Sequence, residues 1–418
     1  MSSMLWCCLQ PKQMMLAVLL LLGSLCCFCF FPPQGQCQDE FEVEQEPPFW
    51  LRGLLDVRVV RGGSASSWTD RGTGKARYGG RTTEQGLKRV TRLALSQFAL
   101  EAGGVLPWGI VPHAQLNWEP DISNDDRPLL IEAYLRKEWG AWEKGWGLQT
   151  GVMNIPFSLE HTGPAATPLY TLTPSALNSW IWEEARLVGV EGEWWQVITK
   201  EIRFSILAGM GFGSDEFGRM LALRGWVLSD YLTGINSDLP LPARGQRMAV
   251  FNERDHRPAL YTLFTLQTPQ DWGEFLLGYF DNLGDQGTEG VWETRFGTIG
   301  TILRPLARVE FLSQYMIGTG RVRERPTDIS FSAFYALLSF HYYGHRFSAR
   351  YDVFRTSNRD GPPAFREHGD GVTFAYLFAF GLHHRVSFEY LFLHSHRPSV
   401  MPPDPSDSGW QLSYRFRY

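Results

Sequence analysis

Arginines and carboxylates recur at even spacings along this chain: Arg52, Asp56 and Arg58; Glu132 and Arg136; Glu293 and Arg295; Arg308 and Glu310; Arg346, Arg350 and Asp352; Arg385 and Glu389; Arg415 and Arg417; with Arg203 alone in its segment. On an extended strand, even spacing puts side chains on one face. Each group would then present a short ladder of charge. The guanidinium's fixed fork suits carboxylate and phosphate oxygens alike, so the chemistry on offer is the capture or steering of anions, with ion pairing across the wall as the competing use. Covalent chemistry has no comparable signature. The sequence holds no Gly-x-Ser-x-Gly elbow, no His-Glu-x-x-His and no Gly-x-x-x-x-Gly-Lys loop. His383-His384 and His394-x-His396 have spacings that reach a metal, but adjacent residues on a strand point apart. No catalytic set, metal or cofactor is expected.

The segments carrying these charges alternate apolar and polar residues. The last nine, Trp410 to Tyr418, set Trp410, Leu412, Tyr414, Phe416 and Tyr418 on one side and Gln411, Ser413, Arg415 and Arg417 on the other. Chain ends fray unless tied down. A transmembrane barrel ties its last strand to its first, because every backbone group in lipid must be paired. Fifteen further alternating segments lie at 50–61, 89–102, 108–118, 129–138, 147–157, 185–195, 201–211, 257–268, 273–282, 291–302, 306–316, 329–341, 345–355, 372–381 and 384–394. Short and long connectors alternate between them, as periplasmic turns and outer loops do in such barrels. Segment 219–231 reads as a hairpin strand or a helix, and counting it as a strand would break the parity. The expected fold is all-β: a transmembrane antiparallel barrel of sixteen strands with periplasmic termini.

Residues Met14 to Phe31 form an apolar run after a short stretch with one cation, Lys12, and small residues surround Cys37. That is the pattern of a secretory leader. The expected organisation is a leader over 1–37, a periplasmic segment over 38–49 and a barrel over 50–418, in the bacterial outer membrane. All six cysteines fall within the leader, which excludes a disulfide scaffold, cysteine catalysis and thiolate metal sites from the remainder. The net charge of −5 argues against nucleic acid as a partner.

With the aromatic face toward lipid, the polar face must line the interior, since a charge facing lipid costs roughly 2–4 kcal/mol at the midplane. Expected pore-lining residues are therefore Arg52, Asp56, Arg58, Glu132, Arg136, Arg203, Glu293, Arg295, Arg308, Glu310, Arg346, Arg350, Asp352, Arg385, Glu389, Arg415 and Arg417. Sixteen strands enclose an aqueous channel rather than a packed core.

The run RLALSQFALEAGGVLPWGIVPHAQLNWEPD, then LIEAYLRKEW, then GLQTGVMNIPFSLEH, with Gly151, Pro156, Phe157 and Glu160 in a Gly-x-x-x-x-Pro-Phe-x-x-Glu element, resembles the N-terminal half of the phosphate-selective porin O/P-type family. The second half, with LLGYFDNLGDQ, RFSARYDVFR and EHGDGVTFAYLF, is similar to a porin-like branch rather than to the phosphate-selective members. The resemblance implies a channel for small hydrophilic solutes and a homotrimer. It carries over no phosphate ligand set, because no arginine ladder matches residue by residue. The closing strand is similar to those of outer-membrane barrels that end on an aromatic residue, which implies recognition by the barrel-assembly machinery through Phe416 and Tyr418. In porins the loop between strands five and six folds inward. Here that loop is 158–184, with Glu160, Trp180 and Trp182 as constriction candidates and a short helix from Ala176 to Trp182 capped by Thr173 or Ser175. The two tryptophans either line an aromatic slide for a sugar-like solute or pack the loop to the wall. Loop 212–256 is expected to be external. The functional expectation is a weakly selective, anion-preferring porin, against a barrel enzyme or a non-conducting structural or adhesin-type barrel.

Overall fold

The computed structural model describes residues 48–84, 86–120, 127–199, 202–242, 246–268, 272–323, 327–358, 366–398 and 406–418; the expected leader over 1–37 and all but the last two residues of the expected periplasmic segment over 38–49 lie outside them. Sixteen antiparallel strands close one barrel: β1 Phe49–Arg61, β2 Thr91–Gly104, β3 Ile110–Trp118, β4 Leu129–Gly140, β5 Lys144–Asn154, β6 Arg186–Thr199, β7 Ile202–Phe212, β8 Ala259–Gln267, β9 Gly273–Asp281, β10 Glu293–Leu306, β11 Val309–Val322, β12 Thr327–Tyr342, β13 His345–Asn358, β14 Glu367–Phe380, β15 His384–His396 and β16 Ser406–Arg417. Every strand pairs with its neighbours in sequence, and β1 pairs with both β2 and β16. Gly53 and Tyr418 exchange both backbone hydrogen bonds, at 3.0 and 2.9 Å, so the final residue is held in register at the seam. No helix among the described residues is long and apolar enough to cross a membrane. The crossing is made by strands.

Period-two patterning decides the facing. On β16, Leu412 and Tyr414 are exposed on the outer surface while Ser413 and Arg415 are buried. The same alternation sets Ile299 and Ile317 outward and Thr298 and Gln314 inward on β10 and β11. An exposed apolar band on a closed barrel is a lipid-facing surface.

The interior is not a water-filled bore. Two loops, 155–185 between β5 and β6 and 213–258 between β7 and β8, fold inward and meet the wall on several sides, and part of the loop after β1 lies with them, with Trp68 in the shared core and Lys75 and Arg77 buried. The first carries α1, Ala176–Glu184, every residue of which is buried; Ser175 caps it by accepting from the Asn178 backbone N–H. The second carries α2, Arg219–Leu223, after which segment 224–231 runs without regular structure. Loop 212–256 is thus corrected from external to internal: Met220, Leu221, Trp226, Leu228, Tyr231 and Leu232 are almost wholly inaccessible and share one core with wall residues Phe296, Phe331 and Phe354. A large apolar run has no favourable outlet in water, and the barrel lumen is the nearest surface that can bury it.

Candidate functional site in the barrel interior

Trp180 of α1 is the centre of the apolar filling. Its ring stacks on Phe217 at 4.7 Å and meets Phe331, Phe296 and Trp226 at 5.0, 5.4 and 5.7 Å. Edge-to-face and offset contacts at these separations are favourable beyond the area they bury. Trp180 therefore packs the loop rather than lining a passage. Trp182, also buried, stacks with His161 at 4.7 Å and lies beside Arg186. Around this core the loops are tied to the wall by buried charge.

Arg350, fully buried on β13, is the principal tie. Its Nε donates to Asp352 Oδ2 at 2.7 Å and its Nη1 to Glu160 Oε1 at 3.0 Å; Nη1 also donates to the Thr173 carbonyl at 2.6 Å and Nη2 to that of Pro174 at 3.0 Å. Glu160 accepts in turn from the Ser175 backbone and from Asn178 Nδ2, at 2.9 and 2.7 Å. Asp352 accepts from Ala176 N at 3.1 Å, and Glu389 from Leu172 N and Thr173 N at 2.6 and 3.0 Å. A buried charge is tolerated where its hydrogen-bonding capacity is filled, and here wall and loop fill it together. Phe157 belongs to the same root: it is buried, its carbonyl accepts from Gln314 Nε2 at 2.7 Å, and its ring meets Tyr261 and Phe296 edge-on. Gly151, at φ +141, leaves room for the Ala133 carbonyl that a Cβ would strike at 2.2 Å.

The second loop has its own ties. Arg224 makes a two-pronged pair with Glu183 of α1, both bonds at 2.6 Å. Glu184 accepts from Trp180 Nε1, Gly218 N and Leu221 N, joining the two helices. Asp230 bonds Arg58 of β1 at 2.7 Å, and Arg77 from the loop after β1 lies 3.3 Å from Asp230 and 3.1 Å from Glu119. Lys75 reaches Glu367 at 2.6 Å. Gly225, at φ +86, passes so close to Glu367 that a Cβ would sit 1.8 Å from its carboxylate. Sequence reasoning did not find Lys75, Glu183, Arg224, Asp230 or Glu367. For Arg224 and Asp230 a signal was available, an apolar run interleaved with charge in a segment read as an external loop; Lys75, Glu183 and Glu367 lie outside that segment.

Arg52 is exposed and stacks on Trp50 at 4.4 Å. Asp56, Arg58 and Arg415 form one buried group at the seam. Glu132 accepts from Asn154 N at 3.3 Å, Arg136 pairs with Glu138 and Glu193, and Arg203 lies over the rings of Trp142 and Trp195. Arg346 pairs with Glu310. Arg385 faces inward opposite Arg415, and its Nε and Nη2 meet no hydrogen-bond acceptor among the described residues. Arg417 is exposed and donates to the Leu382 carbonyl at 2.7 Å. Three expectations are corrected. Glu293 and Arg295 alternate with buried Thr294 and Phe296, so they face outward, where Arg295 bonds Glu293 and approaches Asp281 at 3.7 Å; they sit at the strand's loop end, beyond the apolar band, where the lipid-face penalty vanishes. Arg308 is in the turn between β10 and β11, over the Tyr342 ring at 4.5 Å, because the strand it was assigned to begins one residue later.

In the second loop Asp215, Glu253 and Asp255 bring carboxylate oxygens within 4.8 Å of one another. Burial, with the Glu253 and Asp255 charges, pushes Asp215 up to about 6, against backbone donation from Arg254 and Asp255. Toward the periplasmic end a cavity of about 180 Å³ remains beside Glu193, Arg203, Ser205, Thr265, Gln267 and Glu274.

A closed sixteen-stranded barrel with an apolar outer band and a loop-filled interior is a transmembrane β-barrel of the outer-membrane type. No family model matches the sequence, and no curated protein matches it. Among solved structures, the outer membrane channel DcaP of Acinetobacter baumannii superposes with a TM-score of 0.56 at 9% identity, covering 88% of this chain and 97% of that one. An anion-selective porin from Comamonas acidovorans gives 0.54 at 10% identity, with 88% and 99% covered. A loop-deletion mutant of OmpT, an outer membrane protein of Vibrio cholerae, gives 0.52 at 9% identity, with 89% and 100% covered. At these identities the likeness is one of fold.

Proposed function

We propose that the chain is a bacterial outer-membrane channel for small hydrophilic solutes, held closed in this conformation by loops 155–185 and 213–258. The observation that carries the reading is the origin of the obstruction: two tethered loops fill a bore that wall side chains alone would leave open, and wall carboxylates and arginines such as Arg350 and Glu389 hold them by reversible bonds. A plug of this kind moves without breaking the barrel ladder. The two porin-type neighbours named above, one described as anion-selective and one as a channel, support the same class. A weak anion preference is assigned to Arg385, since Arg346, Arg350, Arg58 and Arg415 are already paired with carboxylates.

The dry aromatic packing around Trp180 favours one rival, a barrel that never conducts. Planar-bilayer recordings separate the two. The channel reading expects a rarely open wild type and a higher conductance after deletion of 164–180, which removes Trp180, the ring on which Phe217 and Trp226 of the second loop pack; a variant lacking both 164–180 and 219–232 that folds yet stays silent overturns it.

A further inference from the structure

We propose that the outer face of the β14–β15 hairpin carries a binding site for a first-row divalent transition ion, built from His368, Asp370, His394 and His396. The reading does not depend on the barrel conducting.

The strand register brings the four together. His368 lies directly opposite His396, and Asp370 directly opposite His394. Side chains two apart on a strand share a face, so all four project from the outer surface as the corners of a rectangle, about 5 Å across the strands and about 7 Å along them. The His368 and His396 rings are 4.9 Å apart and inclined by 41°. His394 Nδ1 is 3.8 Å from Asp370 Oδ1. A zinc-class ion binds imidazole nitrogen at about 2.1 Å and carboxylate oxygen at about 2.0–2.2 Å. The four ligand groups are not gathered within 4.8 Å of one another in this conformation, so an ion above the rectangle would draw them together by side-chain rotation, the three long imidazoles first.

The position suits an ion in water rather than in lipid. The next outward pairs along the hairpin are Val372 with Phe392 and Phe374 with Tyr390, which begin the aromatic band, and the His–Asp set stands beyond it at the loop end. His368 and His394 are exposed. Three imidazoles and one carboxylate select nickel, copper or zinc over calcium or magnesium, which prefer all-oxygen sites. Arg355 of β13, in register with His368, is a neighbouring cation that opposes the ion's charge. The other histidine pair in the protein is differently placed. The His383 and His384 rings are 6.5 Å apart at 87°, and their Nδ1 atoms are engaged by the Arg417 carbonyl and the Tyr414 hydroxyl.

The test uses the full mature chain, without a histidine tag, in detergent, titrated calorimetrically with nickel chloride and with zinc chloride. The expected result is saturable binding of one ion per chain, weakened roughly ten- to a hundred-fold by His368→Ala or His396→Ala and several-fold by Asp370→Asn. Arg355→Gln should tighten it, and His383→Ala with His384→Ala should leave it unchanged. Heat-modifiable gel migration confirms that each variant is folded. Copper(II) added to the wild type gives a second readout that needs no variant: nitrogen hyperfine structure from at least two imidazoles. Absence of saturable binding, binding indifferent to loss of His368 and His396, or an oxygen-only copper spectrum each overturns the proposal.

Discussion

Arg415 and Asp56 face each other across the seam where the last strand closes on the first. They are register partners, and Arg415 Nη2 lies 2.6 Å from Asp56 Oδ2, both side chains buried. Asp56 also pairs with Arg58 and accepts from Ser413 Oγ at 2.7 Å. Asp56→Ala would leave two buried guanidinium groups without this partner, and removing one member of a buried pair costs about 3–5 kcal/mol. Asp56→Ala and Arg415→Gln should both lower the temperature at which the barrel loses its compact gel mobility. Arg417→Gln, at an exposed site, should not. Polar replacement of Phe416 and Tyr418, on the lipid side of the same strand, should instead reduce assembly in vivo. Equal sensitivity at 415 and 417 would contradict the seam assignment.

Arg350→Gln should release the first inward loop. The change leaves Glu160 and Asp352 buried without their cation and the Thr173 and Pro174 carbonyls without their donor. Limited proteolysis within 158–184 should accelerate and single-channel opening should become frequent, with the barrel's heat modifiability retained. Trp180→Ala should act in the same direction, since emptying a buried tryptophan site costs about 3–5 kcal/mol.

His161 makes the plug acid-sensitive. Burial pulls its ring down to about 3, with Arg186 adding to the effect and Asp230 opposing it. The native loop then holds the ring neutral while the released loop holds it near 6.5, so the released state binds more protons between those values. The His161 contribution to closure is complete above pH 6.5 and is lost as the pH falls toward 3, while Glu184 in the same loop, raised by burial to about 8, works in the opposite sense. Between pH 7 and 4 the open probability of the wild type should therefore rise relative to that of His161→Gln. Superimposable pH profiles of the two proteins would remove the assignment.

Arg385→Gln should shift the reversal potential toward cations in the variant lacking 164–180, and by more than Arg346→Gln does, because Arg346 is already neutralised by Glu310. A cation-selective parent channel would dispose of the anion preference altogether.

The wall was legible in the sequence because a strand's period of two writes its facing into the residue order. Where the segment lies across lipid, as at Leu412 to Phe416, the penalty on outward charge makes that order unambiguous. At the loop ends the penalty lapses, and Glu293 and Arg295 turn outward with no mark in the local pattern. The filling was half legible. The helix was readable over 176–182 with Thr173 or Ser175 as its cap, and the structure selects Ser175 and extends it to Glu184, but the destination of Met220, Trp226 and Tyr231 depended on partners such as Phe296, Phe331 and Phe354, contributed by strands more than sixty residues further on. Loops have no periodicity to announce which side of a barrel they occupy, and only their excess of large apolar residues did so here.

The filling comes from the middle of the chain yet bonds to both ends of it, through Asp230 to Arg58 on β1 and through Thr167 to Arg415 on β16 at 2.8 Å. The contents thereby span the one joint of the wall that is not made between strands consecutive in sequence, since β1 and β16 meet there and each holds a different inward loop. A loop that leaves the lumen gives up its bond to the seam while the Gly53–Tyr418 backbone pair still holds the cylinder shut.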